Sequence, residues 1–284
     1  MTDENADRIC LITGASSGIG LETARGMAAR GFRVVLQGRN PERTPAAAEE
    51  VRQSTGNPHV EHLLADFSSL DAVRGLAEAF RRKHDRLDVL INNAGLYHPE
   101  PRVSADGFEE TFAVNHLAPF LLTDLLLEAL AAAAPSRVIV VSSRYHAKPK
   151  TLDVDALESP ATAPRGLDAY KVSKLCNVLF ANELARRVAD RGITAHSVHP
   201  GDVSTGIMRN TLVLSWLIKL ARSWLLLTPE QGARTTLHAA TADHGGRTGL
   251  YFAKSKVAPA SPLAADRDLA RRLWELSARL VGTA

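Results

Sequence analysis

Short β-branched or apolar runs alternate with longer helical patterns from the first residues to about position 200, and nothing else in the chain limits its fold as strongly. When each strand is followed by a helix, successive strands run the same way and the helices cover both faces of the sheet. The strand candidates are Arg8 to Thr13, Phe32 to Gln37, His59 to Ala65, Leu87 to Asn92, Arg137 to Ser143 and Ile193 to His199, with a seventh short one around Gly249 to Phe252. Apolar residues recur at helical spacing near 18–30, 41–54, 69–84, 104–133 and 167–191. From Ala264 to Val281, Leu269, Leu273, Leu276 and Leu280 share one face, which predicts a helix docked on the core.

No Pro/Gly/Ser-rich linker or internal repeat divides the chain, and 45% hydrophobic content suffices for one large core, so residues 1–284 read as a single domain. The segments 144–166 and 202–228 interrupt the alternation. Both follow strands directly, and in an open α/β sheet the ligand crevice lies beyond the strands' carboxyl ends. This makes 144–169 the expected substrate loop and 202–228 the expected substrate lid. Within the latter, Leu212 to Leu227 is amphipathic: Ser215, Lys219, Arg222 and Ser223 share one face, and Trp216, Leu217, Leu220, Trp224 and Leu227 the other. That apolar face covers a large hydrophobic substrate, rests on a membrane surface, or packs in the core or a dimer.

Thirty-four basic residues against 31 acidic are scattered, leaving a charge of +3 and no nucleic-acid footprint. No uncharged apolar run reaches the length of about 18 residues that a spanning helix needs. Cys10 and Cys176 stand apart from each other and from any metal-ligand spacing, so both read as buried thiols and no metal is expected. The polar, acidic opening lacks the build of a signal peptide, and the expected location is cytoplasmic.

The first strand ends in Thr13-Gly14-Ala15-Ser16-Ser17-Gly18-Ile19-Gly20 and opens a helix through Leu21, Ala24 and Met27. Glycines in such a turn let backbone N–H groups approach a pyrophosphate at the positive end of the helix. A dinucleotide site then needs a group to read the adenosine ribose at the end of the second strand. Leu36-Gln37-Gly38-Arg39-Asn40 offers no carboxylate for a 2′-hydroxyl, whereas the Arg39 guanidinium suits a 2′-phosphate. NADP(H) is therefore expected over NAD, unless Arg39 merely ends the strand in solvent. Later, Tyr170 and Lys174 lie four apart on a helix and can meet one ligand. A fixed cation beside the phenol favours the phenolate, which predicts a lowered Tyr170 pKa and a general acid for a carbonyl oxygen.

With these motifs the chain resembles the short-chain dehydrogenase/reductase family. It carries that family's glycine turn at 13–20, Asn92-Asn93-Ala94-Gly95, the helix asparagine Asn115, the strand-end pair Ser142-Ser143, Tyr170/Lys174 and Pro200-Gly201, in the family's order. The likeness covers roughly residues 8 to 281 and is closest to the retinol-dehydrogenase-like branch, through Val114-Asn115-His116-Leu117, Ser173-Lys174-Leu175-Cys176-Asn177, Thr228-Pro229-Glu230-Gln231-Gly232 and Gly249-Leu250-Tyr251-Phe252.

The resemblance implies a Rossmann-type doubly wound parallel sheet of about seven strands with helices on both faces. It implies that Ser143 bonds the substrate oxygen, with Ser142 structural, that Tyr170 transfers the proton, that Lys174 holds the nicotinamide ribose, and that Asn115 anchors a proton-relaying water. Further cofactor contacts implied are Gly14, Ser16, Ser17, Gly18, Ile19 and Gly20 at the turn; Arg39 and Asn40; Asp66 and Phe67 at the adenine; Asn93, Ala94 and Gly95; and Pro200, Gly201, Val203 and Thr205 near the carboxamide. Asp66 has a second reading as an N-cap, and His146 as either a substrate contact or a loop residue. The expected reaction is NADPH-dependent reduction of a ketone or aldehyde on a bulky hydrophobic small molecule. Oxidation of a long-chain or retinoid-like alcohol with NADP, and a non-catalytic NADP(H)-binding regulatory protein, are the alternatives. Helices that relatives use for dimers are present, which leaves a homodimer open.

Overall fold

The computed structural model describes residues 5–203 and 227–283. Thr205 and residues 212–226 of the expected lid helix lie outside the described residues. Seven parallel strands, β1 (Ile9–Ile12), β2 (Arg33–Gly38), β3 (Val60–Leu64), β4 (Val89–Asn92), β5 (Ser136–Val141), β6 (Ile193–His199) and β7 (Leu250–Ala253), are joined by an antiparallel β8 (Lys256–Val257). Their order is β3-β2-β1-β4-β5-β6-β7-β8. The chain winds outward from β1 to β3 and then returns to lay β4 on β1's other side. A crevice opens at this switch point, beyond the carboxyl ends of β1 and β4.

Both faces of the sheet are covered, so strands such as β1 and β4 are buried throughout and read as unbroken apolar runs. Alternate residues feed two cores. Cys10 and Ile12 face α1 (Gly18–Ala28) and α2 (Arg43–Thr55), while Ile9 and Leu11 share the opposite core with Phe80 of α3 (Leu70–Arg81) and Leu175 of α7 (Gly166–Arg187).

The long helix expected over 104–133 is broken into four stretches. Gly107, at φ +87°, turns the chain before α4 (Glu110–Phe112), which Glu109 caps by accepting from the Phe112 N–H at 2.7 Å. A π-helical turn, Ala113–Leu117, follows, then α5 (Ala118–Leu125) and α6 (Leu127–Ala132). Pro119 has no N–H to continue an α-helical ladder, which accounts for an irregular turn just before it. The helix expected to 191 ends at Arg187. A helix that periodicity missed, α8 (Pro229–Thr241), announces itself by its cap: the Thr228 side chain accepts from the Gln231 N–H while Gln231 reaches back to the Thr228 N–H, with Pro229 at the first turn. The eighth strand follows a two-residue turn, Lys254-Ser255, at φ 52° and 55° with no glycine to mark it. The carboxyl-terminal helix α9 (Arg267–Val281) starts at its Asp266 cap, three residues later than expected.

Candidate active site

Gly14 and Gly18 take φ of +63° and +60°, so the chain after β1 can turn tightly into α1. Thr13 anchors the turn: its Oγ1 accepts from the N–H groups of Asn93 at 3.0 Å and Ala94 at 2.9 Å. The Asn93 amide donates to the carbonyls of Thr13 and Gly14, at 2.8 and 3.2 Å. A Cβ on Gly20 would stand 2.4 Å from the Gly14 oxygen and 2.5 Å from Asn93 Nδ2, which no L side chain tolerates. Asn93 therefore shapes the glycine turn. Gln37 does the same from β2 and escaped sequence reading: buried, its Oε1 accepts from the Gly14 N–H at 3.0 Å and its Nε2 donates to the Ala65 carbonyl at 2.8 Å. A polar residue closing an apolar strand was the signal available.

The residues present fit a dinucleotide. Ser17 caps α1 with no side-chain hydrogen bond, and no acid occupies the first turn, so the helix's leading N–H groups and its positive end remain for a pyrophosphate. Ser16 and Ser17 stand beside that opening, and Ile19 packs near Gly232, where a Cβ would also meet Val203. At the end of β2, Arg39 is exposed and makes no ion pair among the described residues. A Cβ on Gly38 would lie 2.4 Å from Thr44 Oγ1 and 3.2 Å from the Ser16 Cβ, so packing excludes a carboxylate side chain there. Asn40 Oδ1 accepts from the N–H groups of Glu42 and Arg43, at 3.0 and 2.7 Å, and so starts α2. Asp66 is exposed and folds onto Ser68, while Ser69 caps α3, so Asp66 is not that helix's N-cap. Phe67 is buried in the core. Pro200 is buried, and Gly201 turns at φ +98° toward the Val203–Leu227 bridge.

Beyond the carboxyl end of β5 the catalytic candidates converge. Ser142 donates to the Lys174 carbonyl at 2.7 Å and is committed to holding α7. Ser143 leads into a 3₁₀ turn, Arg144–Ala147, its Oγ accepting from the Tyr145 N–H at 3.3 Å, and stands beside Tyr170. Tyr170 is half-buried between Tyr97 and Tyr145, whose rings meet it edge-on at centroid distances of 6.0 and 5.9 Å. Lys174 is buried with its Nζ 5.5 Å from the Tyr170 ring centroid, and donates to the Val141 carbonyl at 3.2 Å, an oxygen shared with Asn177 Nδ2 at 3.1 Å.

Asn115, in the π turn, accepts from the Leu96 N–H at 2.8 Å and gives both amide hydrogens away, to the Leu96 carbonyl and Ser173 Oγ, each at 3.0 Å. Its side chain thereby clamps the strand-end loop to α7. Gly95 passes between them: a Cβ there would lie 3.3 Å from both Asn115 Oδ1 and Lys174 Nζ.

The expected lowering of the Tyr170 pKa is not what this geometry yields. Burial pushes the phenol up to about 12, the Ser143 hydroxyl beside it offsets part of this, and Tyr145 adds to it. The ammonium bonds a carbonyl and faces the ring, so desolvation dominates. Burial likewise brings Lys174 down to about 8. His146 has both ring nitrogens already engaged. It is buried, with Nδ1 2.7 Å from the Ser143 carbonyl and Nε2 accepting from the Ser261 N–H at 3.1 Å. Outside it, Arg144, Tyr145, Ala147 and Lys148 line a cavity of about 340 Å³, and Arg144 pairs with Asp202 at 3.0 Å across the two expected substrate segments.

A doubly wound sheet with a glycine turn at its switch point and a Ser/Tyr/Lys cluster one strand away defines the class of Rossmann-type oxidoreductases. The sequence model described as short chain dehydrogenase matches residues 8–154, and the chain belongs to the short-chain dehydrogenase family, in its retinol-dehydrogenase-like branch. Members act on alcohols or carbonyls with a nicotinamide cofactor. Human retinol dehydrogenase 11 is 41% identical over 276 residues, covering 97% of this chain and 86% of that protein. Human dehydrogenase/reductase SDR family member 13 is 44% identical over 280 residues, covering 97% and 73%. Among solved structures, an uncharacterised protein from Mycobacterium paratuberculosis superposes with a TM-score of 0.77 at 33% identity, covering 98% of this chain and 94% of that one. Actinorhodin polyketide ketoreductase, solved with NADPH, shares the fold at a TM-score of 0.70 and 23% identity, over 88% and 95%.

Proposed function

We propose that this enzyme reduces a ketone or aldehyde on a bulky hydrophobic molecule with NADPH, Tyr170 being the proton donor. The observation that carries the reading is the convergence of Ser143, Tyr170 and Lys174 beyond the end of β5, with Tyr170 walled by Tyr97 and Tyr145 and the Lys174 Nζ 5.5 Å from its ring centroid. A phenol carries its proton at neutral pH and can give it to an oxygen gaining negative charge, which a neighbouring cation favours. When bound, the dinucleotide supplies the hydride. Ser143 orients the substrate oxygen against Tyr170. Lys174 holds the nicotinamide ribose, and its positive charge stabilises the phenolate once the proton has left. Asn115, whose Oδ1 lies beside Gly95 with the Lys174 ammonium, anchors a relaying water. The aromatic walls suit an apolar substrate. The exposed guanidinium of Arg39, with no ion pair among the described residues, and the packing against any acid at position 38 support NADP(H) over NAD(H).

Oxidation of a retinoid-like alcohol with NADP is the second reading, favoured by the names of the relatives, retinol dehydrogenases 11 and 12 among them. Turnover separates the two: NADPH and NADH with bulky ketones and aldehydes, against NADP with long-chain and retinoid alcohols. Faster reduction with NADPH is expected, and faster alcohol oxidation at neutral pH overturns the direction. Arg39→Ala should weaken NADPH by about 1.5–3 kcal/mol, the worth of a charge-assisted bond, and leave NADH unchanged. Equal loss for both cofactors refutes the role given to Arg39. No turnover with any pair points to a non-catalytic binding protein.

A further inference from the structure

We propose that His146 is a positioning residue for Ser143, tying that serine to the chain segment after β8 and through it to the helix that carries Tyr170. The proposal rests on the reading of Ser143 as the group that bonds the substrate oxygen. The two hydroxyls that must meet on one substrate atom come from different elements, Ser143 from the exit of β5 and Tyr170 from α7. Ser142 is secured to α7 by its own hydrogen bond to the Lys174 carbonyl, but Ser143 lies one residue further out, where the chain turns away from the sheet.

His146 supplies the missing restraint. The Ser143 carbonyl accepts twice from this residue, from its N–H at 3.1 Å and from Nδ1 at 2.7 Å. On the other side of the ring, Nε2 accepts the Ser261 N–H at 3.1 Å. A carbonyl can only accept and an N–H can only donate, so the two neighbours together specify one state: neutral, with the proton on Nδ1. The ring is 3% exposed and packs 4.7 Å from the Tyr251 ring of β7. Ser261 in turn caps the short 3₁₀ helix Pro262–Ala265 by accepting from the Ala264 N–H. The Ala264 carbonyl accepts from Asn182 Nδ2 at 2.9 Å, and Asn182 belongs to α7. The links close a circuit from Ser143 through His146, Ser261 and Asn182 back to the helix of Tyr170 and Lys174. A segment remote in sequence thus sets the register of the two hydroxyls.

Two substitutions separate the halves of the ring. In His146→Asn the amide nitrogen takes the place of Nδ1 and keeps the bond to Ser143. In His146→Gln the amide oxygen reaches the place of Nε2 and keeps the bond to Ser261. Turnover, KM, NADPH affinity and Tm are measured for both, with Ser143→Ala alongside. His146→Gln is expected to lower kcat by about 10- to 100-fold, the scale of a misplaced reacting group, with NADPH affinity within about twofold. His146→Asn keeps the Ser143 bond but cuts the circuit at Ser261, so it too is expected to lower kcat by about 10-fold or more, with NADPH affinity within about twofold and Tm retained. If both variants keep kcat while Ser143→Ala is slow, or if both lose kcat in proportion to Tm, His146 is only a structural anchor. A Ser143→Ala enzyme at the wild-type rate overturns the reading of Ser143, and this inference with it. A measurement on the wild-type protein covers variants that do not fold: the ¹⁵N spectrum of the His146 ring at pH 7 must show the proton on Nδ1, and a proton on Nε2 overturns the assignment.

Discussion

Replacing Lys174 by Met should abolish turnover and make the protein more stable. The ammonium is buried at 3% exposure with one hydrogen bond among the described residues, and burial brings it from the ordinary lysine value of 10.5 down to about 8. At about 1.4 kcal/mol per tenfold change in proton affinity, keeping that charge in the folded state at pH 7 costs about 3 kcal/mol. Methionine fills nearly the same volume and removes the charge. The lost hydrogen bond to the Val141 carbonyl offsets about 1 kcal/mol, since Asn177 still donates to that oxygen. The net gain is about 2 kcal/mol, or roughly 4–8 °C in Tm for a domain of this size. The sign with pH follows from the lowered folded value. Between about pH 8 and 10.5 the unfolded chain binds the proton that the folded one has released, so the wild type gains stability through this window and the advantage of Met shrinks. Urea unfolding of both proteins at pH 7 and pH 10 reads this directly. A Lys174→Met protein less stable than wild type at pH 7, or a gain that does not shrink with pH, refutes the claim that the Lys174 charge is held at the expense of stability.

Gly20→Ala should lower stability by about 2–3 kcal/mol, because its new methyl meets a backbone oxygen and the Asn93 amide that neither can yield; an unchanged urea midpoint would mean the turn is looser than described. Burial holds His116 and His196 down to about 3, well below their unfolded value of about 6.5. Their neutral state stabilises fully above pH 6.5, and each contributes a loss of up to about 1.4 kcal/mol per pH unit below it. A midpoint that is flat from pH 7 to pH 5 contradicts this.

Strand positions, the glycine turn and the Tyr170/Lys174 pair were legible because each rests on local pattern: unbroken apolar runs, glycines at fixed offsets, and residues four apart on a helix. The failures have equally physical causes. Helix 104–133 looked continuous because its apolar spacing survives the π turn and the break at Leu126, where only backbone geometry changes. The strand β8 is two residues long and its turn has no glycine. For α8 the capping box was present in Thr228 and Gln231 and outweighed the weaker periodicity behind it. At the site, the residues named from the sequence come together beyond β5, but their partners across the fold were invisible. Nothing local distinguishes Asn93 touching a ligand from Asn93 bracing Gly14, and His146 acquires its meaning only from Ser261, which lies far along the chain. The Tyr170 pKa went the other way because spacing reports that a cation is near and says nothing of which atom it bonds.

The most direct test of Tyr170 as proton donor is the turnover of Tyr170→Phe with NADPH and a bulky ketone that the wild type reduces. The substitution keeps the ring against Tyr97 and Tyr145 and removes only the hydroxyl, so fold and NADPH affinity should be retained while kcat falls by about 10²–10⁴, the usual worth of a general acid. A kcat within a few-fold of wild type would contradict the assignment and place proton transfer on another group.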